Sequence, residues 1–137
     1  MRCFFDTNIL VYLFDADASE KQAKCRALFE SEVTAGRAVL STQVLQEFYV
    51  AATRKLAVPL APEVAEEVVR NLAALPVAQI DNALIFRAIH RSKLLRFSFW
   101  DSLIVSAALS SGADRLLTED LQHGQVIEGM RIENPFL

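Results

Sequence analysis

The chain has 137 residues, which suits one compact domain over residues 1–137 and is short for two. Its formal net charge of −3 gives none of the basic surplus that normally accompanies nucleic-acid binding. The two cysteines, Cys3 and Cys25, lack C-x-x-C spacing. This argues against a disulfide framework and a zinc site, and favours a reducing cytoplasm.

Hydrophobic residues make up 53% of the chain, and the mean hydropathy is +0.25. No apolar run is long enough to cross a bilayer, so we expect a soluble protein without membrane association. The high apolar fraction instead suggests surface left over for a partner chain, either a second copy or another protein.

The first third of the chain reads as strand, helix, helix, strand. "RCFFD" is a short apolar strand and "NILVYLF" a helix packed on a sheet. Ser19 with Gln22 forms a capping-box pattern for a helix that ends at Gly36. The pattern predicts that the buried face of this helix includes Ala23, Ala27, Leu28 and Val33. "RAVLS" then reads as the second strand.

The rest of the chain continues to alternate. Ser41 or Thr42 can cap the helix "TQVLQEFYVAATRK", and Pro62 occupies the first turn of the next helix. After the strand-like "VAQI", Asp81 can cap "NALIFRAIHRSK". "SFWDSLIVSAALSSG" is a helix ended by Gly112, followed by the strand "DRLLT", the turn "EDLQHG" and "MRIEN" as an edge strand.

Alternating strands and helices without hairpin signals predict βαβ crossovers. The expected fold is therefore α/β, a three-layer α/β/α sandwich with a mostly parallel sheet of four to five strands.

Acidic residues fall where the strands of such a sheet end. Asp6 follows the first strand and Asp120 a later one, while Glu47 and Asp101 lie near the beginnings of helices that follow strands. Chemistry in open α/β sheets collects beyond the carboxyl ends of the strands. The four acids are therefore expected to face one crevice.

Each acid also has an ordinary structural explanation. Asp6 suits an Asx turn or helix cap, and Asp120 suits a turn acid. Ser98 with Asp101 forms S-x-x-D, a capping-box variant. Glu47, however, has largely apolar helical neighbours, and Asp101 lies in a helix meant for burial. Glu119 stands beside Asp120, and the sequence leaves open which of the two faces the crevice.

No lysine or arginine is placed to balance four acids in one crevice, where they would repel one another. A divalent cation resolves this conflict. All-oxygen ligands favour Mg²⁺ or Mn²⁺ over zinc.

With these acids in this order, the chain resembles the PIN-domain family, small metal-dependent nucleases with an α/β/α sandwich. The resemblance spans nearly the whole chain and rests on four motifs: "FFDTNIL", "LQEFYVAATR", "FWDSLIVSAAL" and "LLTED". Thr118 matches a hydroxyl residue two positions before the last acid. In length the chain is most similar to the VapC-like toxins of toxin–antitoxin modules, which cleave RNA.

The resemblance implies that Asp6, Glu47, Asp101 and Asp120 are metal ligands or orient the attacking water. It implies that Thr7, Asn8 and Thr118 support these ligands or contact phosphate. One or two Mg²⁺ or Mn²⁺ ions would activate water and stabilise the leaving oxygen in an in-line displacement. Two such ions would change the formal charge from −3 to about +1. The implied partners are an RNA substrate, a small antitoxin and a second copy of the chain.

Basic residues in "RAIHRSKLLR" offer a path for the RNA backbone, although a solvated helix face is the better expectation. The candidates are Arg87, Arg91, Lys93 and Arg96. Arg54 and Lys55 are explained by a helix C-terminus. Phe97, Phe99 and Trp100 could stack on unpaired bases, but core packing is the better expectation for most of them. His90 and His123 lack metal-ligand spacing.

Three other functions compete with a nuclease. A phospho-receiver domain usually adds a second early acid and a late lysine, yet no lysine follows Lys93. A haloacid-dehalogenase-like phosphatase wants D-x-D after the first strand, where this chain has "DTN". A PIN-like scaffold that binds RNA or protein without cleaving it remains the alternative.

Overall fold

The computed structural model describes residues 1–137, and its centre is a six-stranded sheet. The strands lie in the order β3-β2-β1-β4-β6-β5. Their bounds are β1 Cys3–Phe5, β2 Ala38–Ser41, β3 Val77–Ala78, β4 Arg115–Leu117, β5 Val126–Ile127 and β6 Met130–Glu133. All neighbouring strands pair in parallel except β5 and β6.

Six α-helices flank the sheet and complete the three-layer α/β/α arrangement. They are α1 Thr7–Tyr12, α2 Ser19–Thr34, α3 Thr42–Arg54, α4 Pro62–Leu72, α5 Asn82–Leu95 and α6 Phe99–Ser110. A short 3₁₀ turn, Ala16–Ala18, precedes α2. None of these helices is long and apolar enough to span a bilayer. The predicted fold class is confirmed, although the sheet has more strands than expected.

The extra strand comes from a hairpin that the sequence did not reveal. β5 and β6 are antiparallel and are joined by Glu128 and Gly129, both with positive φ, of 49° and 88°. This two-residue turn suits a tight hairpin, but Asn-Gly or Asp-Gly would have been the recognisable signal. The prediction of "MRIEN" as an edge strand is therefore wrong: β6 lies inside the sheet, and β5 forms the edge.

Helix α2 begins differently from the prediction. Ser19 is its first residue, and Ala18 at the N-cap makes no side-chain cap bond. The Ser19–Gln22 capping box is therefore wrong, because the preceding 3₁₀ turn already leads the chain into the helix. Instead, the Gln22 amide donates to the carbonyl of Leu13 at 3.1 Å.

The predicted buried face of α2 is only half correct. Ala23 and Ala27 are exposed, while Leu28 and Val33 pack against the core. The fully buried positions are Cys25 and Glu32. Glu32 can be buried because Arg37 and Arg115 both pair with its carboxylate. Glu32 is thus buried with one partner nearby in sequence, Arg37, and one that is remote, Arg115.

The remaining helix boundaries follow local chemistry as predicted. Ser41 caps α3 by accepting from the N–H of Val44, and Asp81 caps α5 by accepting from Leu84. Pro62 occupies the first turn of α4. Gly112, with φ of 76°, follows the end of α6.

The core lies between the sheet and the helices around it. Its largest fully buried side chains are Phe4, Phe5, Phe48, Ile9, Leu10, Leu40, Leu116, Leu117, Met130 and Ile132. Strands β1 and β2 are buried at every position, as expected for central parallel strands covered on both faces. The acids that follow these strands are therefore attached to rigid backbone.

Candidate active site

The candidate site lies where the connections of the sheet change direction. From β1 the chain crosses to β2 on one side, while β4 pairs with β1 on the other. Such a switch point leaves a crevice at the carboxyl ends of two adjacent strands. Asp6 follows β1 there, and Thr118 through Asp120 follow β4. The N–H of Asp6 donates to the carbonyl of Leu117 at 3.0 Å, which joins the two strand ends.

Asp6 is the most buried of the candidate acids, with 5% of its surface exposed. Its Oδ1 accepts from the N–H of Thr7 at 2.7 Å, and its Oδ2 accepts from the Thr118 hydroxyl at 2.8 Å. Burial raises the pKa of Asp6 to about 7, against the effect of these two hydrogen bonds. The charges of Asp120 and Glu47 raise this pKa further. Asp6 therefore caps α1 and is also held within the field of two other acids.

Thr118 organises the centre of the crevice. Besides donating to Asp6, its Oγ1 accepts from the N–H of Asp120 at 3.1 Å and from Asn8 Nδ2 at 3.3 Å. Thr118 is fully buried, so its hydroxyl geometry is fixed by these partners. The predicted supporting residues Asn8 and Thr118 thus lie directly against the acids.

Glu47 reaches the crevice from the second turn of α3. The Thr7 hydroxyl donates to its Oε1 at 2.7 Å, and Gln43 Nε2 donates to its Oε2 at 3.2 Å. Both carboxylate oxygens are therefore oriented by neutral donors. Thr7, the third predicted supporting residue, fastens α1 to α3 through this contact.

Asp101 lies in the first turn of α6, and its N–H donates to the Ser98 hydroxyl at 3.1 Å. The predicted cap is therefore present. Burial raises the pKa of Asp101, the Ser98 hydroxyl lowers it, and the charges of Asp120 and Glu47 raise it. These charges act on Asp101 because the three acids share the crevice. Asp101 therefore takes part in the helix cap and also lies among the acids.

The choice between the adjacent acids Glu119 and Asp120 is decided by their partners. Asp120 Oδ2 accepts from Asn8 Nδ2 at 2.9 Å, and the charge of Asp120 acts on both Asp6 and Asp101. Glu119 instead accepts from the Tyr12 hydroxyl at 2.7 Å and pairs with Lys21 at 3.1 Å. Asp120 is therefore the acid that joins the group. We call Asp6, Glu47, Asp101 and Asp120 the acid group.

No positive side chain neutralises the acid group. The six ion pairs of the chain involve none of its members. At the same time, no three His, Cys, Asp or Glu side chains lie close enough together, as they stand, to hold a metal ion. The donor chemistry nevertheless fits a hard divalent cation, because every candidate ligand is a carboxylate and the buried one has a raised pKa. Side-chain movement is required to gather the ligands.

A groove extends from the acid group between α1 and α3. Its volume is about 590 Å³, and Glu47 and Asp120 lie in its wall. Its apolar wall consists of Val11, Val50, Ala51 and Leu56 together with the ring of Tyr12. Lys55, which the sequence explained by a helix C-terminus, also lines this groove. Most of the surface exposed in this groove is thus apolar.

The predicted basic path on α5 lies in a different place. Arg87 and Arg91 line a separate cavity of about 530 Å³, and neither lines the groove beside the acids. Arg91 pairs with Glu128 at 2.8 Å and donates to the Ser106 hydroxyl at 3.0 Å. Lys93 and Arg96 are exposed. The guanidinium of Arg91 is therefore already bound by Glu128 and Ser106 within the fold.

The aromatic residues beside Asp101 divide between core and surface. Phe97 and Phe99 pack against the core, as expected. Trp100 does not: 62% of its surface is exposed. Of the histidines, His123 accepts from the N–H of Asn134 at 3.0 Å, so its position is explained by the loop.

Gln43 is the site residue that sequence reasoning missed. It is 3% exposed, and its Nε2 donates both to Glu47 and to the carbonyl of Trp100, at 3.2 and 3.3 Å. It therefore connects α3 to the first turn of α6, the two helices that carry Glu47 and Asp101. Its Oε1 is buried without a partner. The four-residue spacing from Glu47 was the available signal.

Comparisons with known proteins bear on the family and the fold of the chain. The PIN domain family model matches residues 3–128. A toxin–antitoxin complex from Klebsiella pneumoniae is 18% identical, covers 97% of both chains and gives a TM-score of 0.70. VapC20 from Mycobacterium tuberculosis, described as a sarcin-ricin loop cleaving toxin, is 20% identical, with 83% of this chain and 86% of that chain covered and a TM-score of 0.66.

DNA-bound VapBC from Salmonella typhimurium is 25% identical, covers 98% of both chains and gives a TM-score of 0.69. No curated protein sequence matches the chain. The family model covers most of the chain, and the structural similarity extends over nearly its full length. The chain belongs to the PIN domain family.

Proposed function

We propose that residues 1–137 form a single nuclease domain that hydrolyses RNA phosphodiester bonds with Mg²⁺ or Mn²⁺. The observation that carries this proposal is the buried carboxylate of Asp6, which lies among three other acids without a compensating positive side chain. An uncompensated buried acid costs stability unless it is protonated or binds a cation. Because the chain belongs to the PIN domain family, we propose that a cation bound by these acids serves a nuclease reaction.

Asp6, Glu47, Asp101 and Asp120 would hold one or two ions. When bound, the ions would activate water and stabilise the charge that develops on the phosphate oxygens. Asp6 and Asp120 are connected through Thr118, and Glu47 is oriented by Thr7. These donors are neutral, so they orient the carboxylates without supplying a positive charge that would compete with a bound cation. Asn8 Nδ2 donates to Oδ2 of Asp120 and orients that carboxylate.

We further propose that the protein is the toxin of a toxin–antitoxin module, with a small antitoxin as its partner. The support is the similarity to a toxin–antitoxin complex and to VapBC over almost the full length of the chain. Self-association into a dimer is part of the same proposal, supported by exposed apolar side chains such as Val58 and Val64. Both cysteines are buried and free, which suits a reducing cytoplasm.

The test is an RNA cleavage assay with matched acid variants. The purified chain is incubated with tRNA, rRNA and mRNA in Mg²⁺, in Mn²⁺ and in EDTA. Asp120→Asn should abolish cleavage, whereas Glu119→Gln, one residue away but paired with Lys21, should retain most of it. If neither ion supports cleavage above the Asp120→Asn background, the nuclease proposal fails.

One observation favours a second candidate, a PIN-like module that binds RNA or protein without cleaving it. The acid side chains are not gathered into a ready metal-binding cluster. RNA binding that is equal in EDTA and in Mn²⁺, without cleavage, would support this candidate. Ion-dependent cleavage would exclude it.

A further inference from the structure

Trp100 is exposed in a way that the fold does not explain. Of its surface, 62% faces solvent, although it is the only tryptophan and stands in the first turn of a helix that is otherwise deeply buried. Large aromatic side chains contribute most to stability when they are buried. Exposing the one tryptophan therefore gives up stabilisation that the core would otherwise gain.

The exposed indole is also held in place. Its ring packs edge-to-face on Phe99, with centroids 5.2 Å apart and an interplanar angle of 75°. Phe99 in turn packs against the core. The backbone carbonyl of Trp100 accepts from the buried amide of Gln43 at 3.3 Å. The aromatic surface is therefore rigid before any ligand arrives, which reduces the entropy lost on binding.

Trp100 is adjacent in sequence to Asp101, a member of the acid group. The two Cα atoms are about 3.8 Å apart across a trans peptide bond. Gln43 contacts both the Trp100 carbonyl and Glu47, so the aromatic residue is connected to two acids through one amide. The exposed ring is therefore carried by the same first turn of α6 that carries one of the acids.

We propose that Trp100 stacks on an unpaired RNA base next to the cleaved phosphate. This inference rests on the proposed nuclease function and deepens it, because it assigns to Trp100 the contact with a base beside the cleaved bond. A base in a duplex is already stacked on both faces, whereas an unpaired base has a free face for an aromatic side chain. Stacking is tolerant of base identity, so Trp100 selects unpaired structure rather than a particular sequence.

The choice of RNA over a protein occupant follows from the surroundings of Trp100. Phe86 on α5 is equally exposed, at 68%, but it lines the separate cavity with Arg87 and Arg91. Trp100 instead directly precedes Asp101 in the first turn of α6, and Asp101 takes part in no ion pair of the chain. A position next to the proposed phosphate site is what a base-binding residue requires. Phe86 therefore supplies a matched control aromatic in a different setting.

The first experiment measures binding separately from cleavage. Because Trp100 is the only tryptophan, intrinsic tryptophan fluorescence reports on this position alone. A short single-stranded RNA is titrated into the Asp120→Asn protein with Mg²⁺ present, and a perfect duplex of the same sequence serves as the comparison. We expect saturable quenching by the single strand and little quenching by the duplex. Equal or absent quenching by the two overturns the inference.

The second experiment measures cleavage kinetics in the otherwise unchanged protein. Trp100→Ala should raise KM for single-stranded RNA about tenfold, equivalent to about 1.4 kcal/mol of binding. Trp100→Phe should stay within about threefold of wild type because it keeps an aromatic face. Phe86→Ala should leave KM unchanged. Unchanged KM in Trp100→Ala, with cleavage intact, overturns the inference while the nuclease proposal stands.

Two further outcomes separate the inference from its alternatives. Quenching by single-stranded RNA without any cleavage supports base stacking and overturns only the nuclease proposal. If Trp100→Ala changes the molar mass measured by light scattering but not KM, the indole is a contact between protein chains. That result overturns the stacking assignment.

Discussion

The Thr118 hydroxyl donates a 2.8 Å hydrogen bond to Asp6, and this contact joins the ends of two adjacent parallel strands. The same oxygen accepts from the N–H of Asp120 and from Asn8. Thr118→Val keeps the shape but removes all three bonds, and should lower the free energy of unfolding by about 1–3 kcal/mol. Urea unfolding measures the loss. Thr118→Ser should restore most of it, and wild-type stability in Thr118→Val would contradict the role assigned to the hydroxyl.

The stability of the metal-free protein should depend on pH through Asp6. Burial raises the pKa of Asp6 in the folded chain to about 7, above its ordinary value of 3.8. Between these values the folded state holds a proton that the unfolded state releases, so the free energy of unfolding falls as pH rises from about 4 to about 7. It stays reduced above that window.

Asp6→Asn removes this titration and should flatten the pH dependence. Relative to wild type, the variant should gain about 2–3 kcal/mol between pH 5 and pH 8, measured by urea unfolding in EDTA. An identical pH profile in the two proteins would show that Asp6 is ionised in the folded state across the whole range.

Divalent ions should stabilise the folded chain. Binding of Mn²⁺ at a free concentration 100 times its Kd adds about 2.7 kcal/mol, which is visible as a rise in Tm. The rise should be larger at pH 8 than at pH 6, because Asp6 must lose its proton to bind a cation. Asp101→Asn should weaken the response and keep the fold, whereas Glu119→Gln should preserve it. The absence of any Mn²⁺-dependent shift would remove the metal from the proposal.

Gln43→Leu should separate orientation of the acids from overall stability. The substitution removes two hydrogen bonds but also the buried, unpartnered Oε1, so the free energy of unfolding should stay within about 1 kcal/mol of wild type. The Mn²⁺-induced rise in Tm and the cleavage rate should both fall, because Glu47 loses one of its two donors. Calorimetric or fluorescence melting with and without Mn²⁺ measures this.

Gln22→Leu is the matched control for that experiment. Its amide also donates to a backbone carbonyl, that of Leu13, but it contacts no member of the acid group. The Mn²⁺ response of Gln22→Leu should equal that of wild type. A similar loss of response in both variants would assign the effect of Gln43→Leu to general destabilisation.

Much of the site could be predicted because its signals are local. Asp6 and the adjacent pair Glu119 and Asp120 were placed by their positions after strands, and Ser98 and Ser41 by their positions before helices. These patterns depend on the alternation of side chains along a strand and on the free N–H groups of a helix start. Each of these signals lies within a few consecutive residues.

Other features depended on partners that are distant in sequence. Glu32 was not among the residues predicted for one face of α2, yet Arg115, 83 residues away, joins the nearby Arg37 in pairing with its buried carboxylate. We expected β6 at the edge of the sheet, but β5 forms the edge. Glu128 and Gly129 adopt positive φ in the turn between these strands, which lacks the asparagine that usually marks such a turn. Neither outcome has a signal within a short window of sequence.

The sequence by itself determined the chemical groups and the strand or helix end that carries each one, because capping, periodicity and turn chemistry act between near neighbours. Only the tertiary structure decided which groups meet. It brought β1 beside β4, assigned Asp120 rather than Glu119 to the acid group, buried Gln43 between two helices and left Trp100 exposed. These outcomes depend on the order of the strands and on the packing of helices that are far apart along the chain. The burial of a side chain and the charges around it are determined together by that packing.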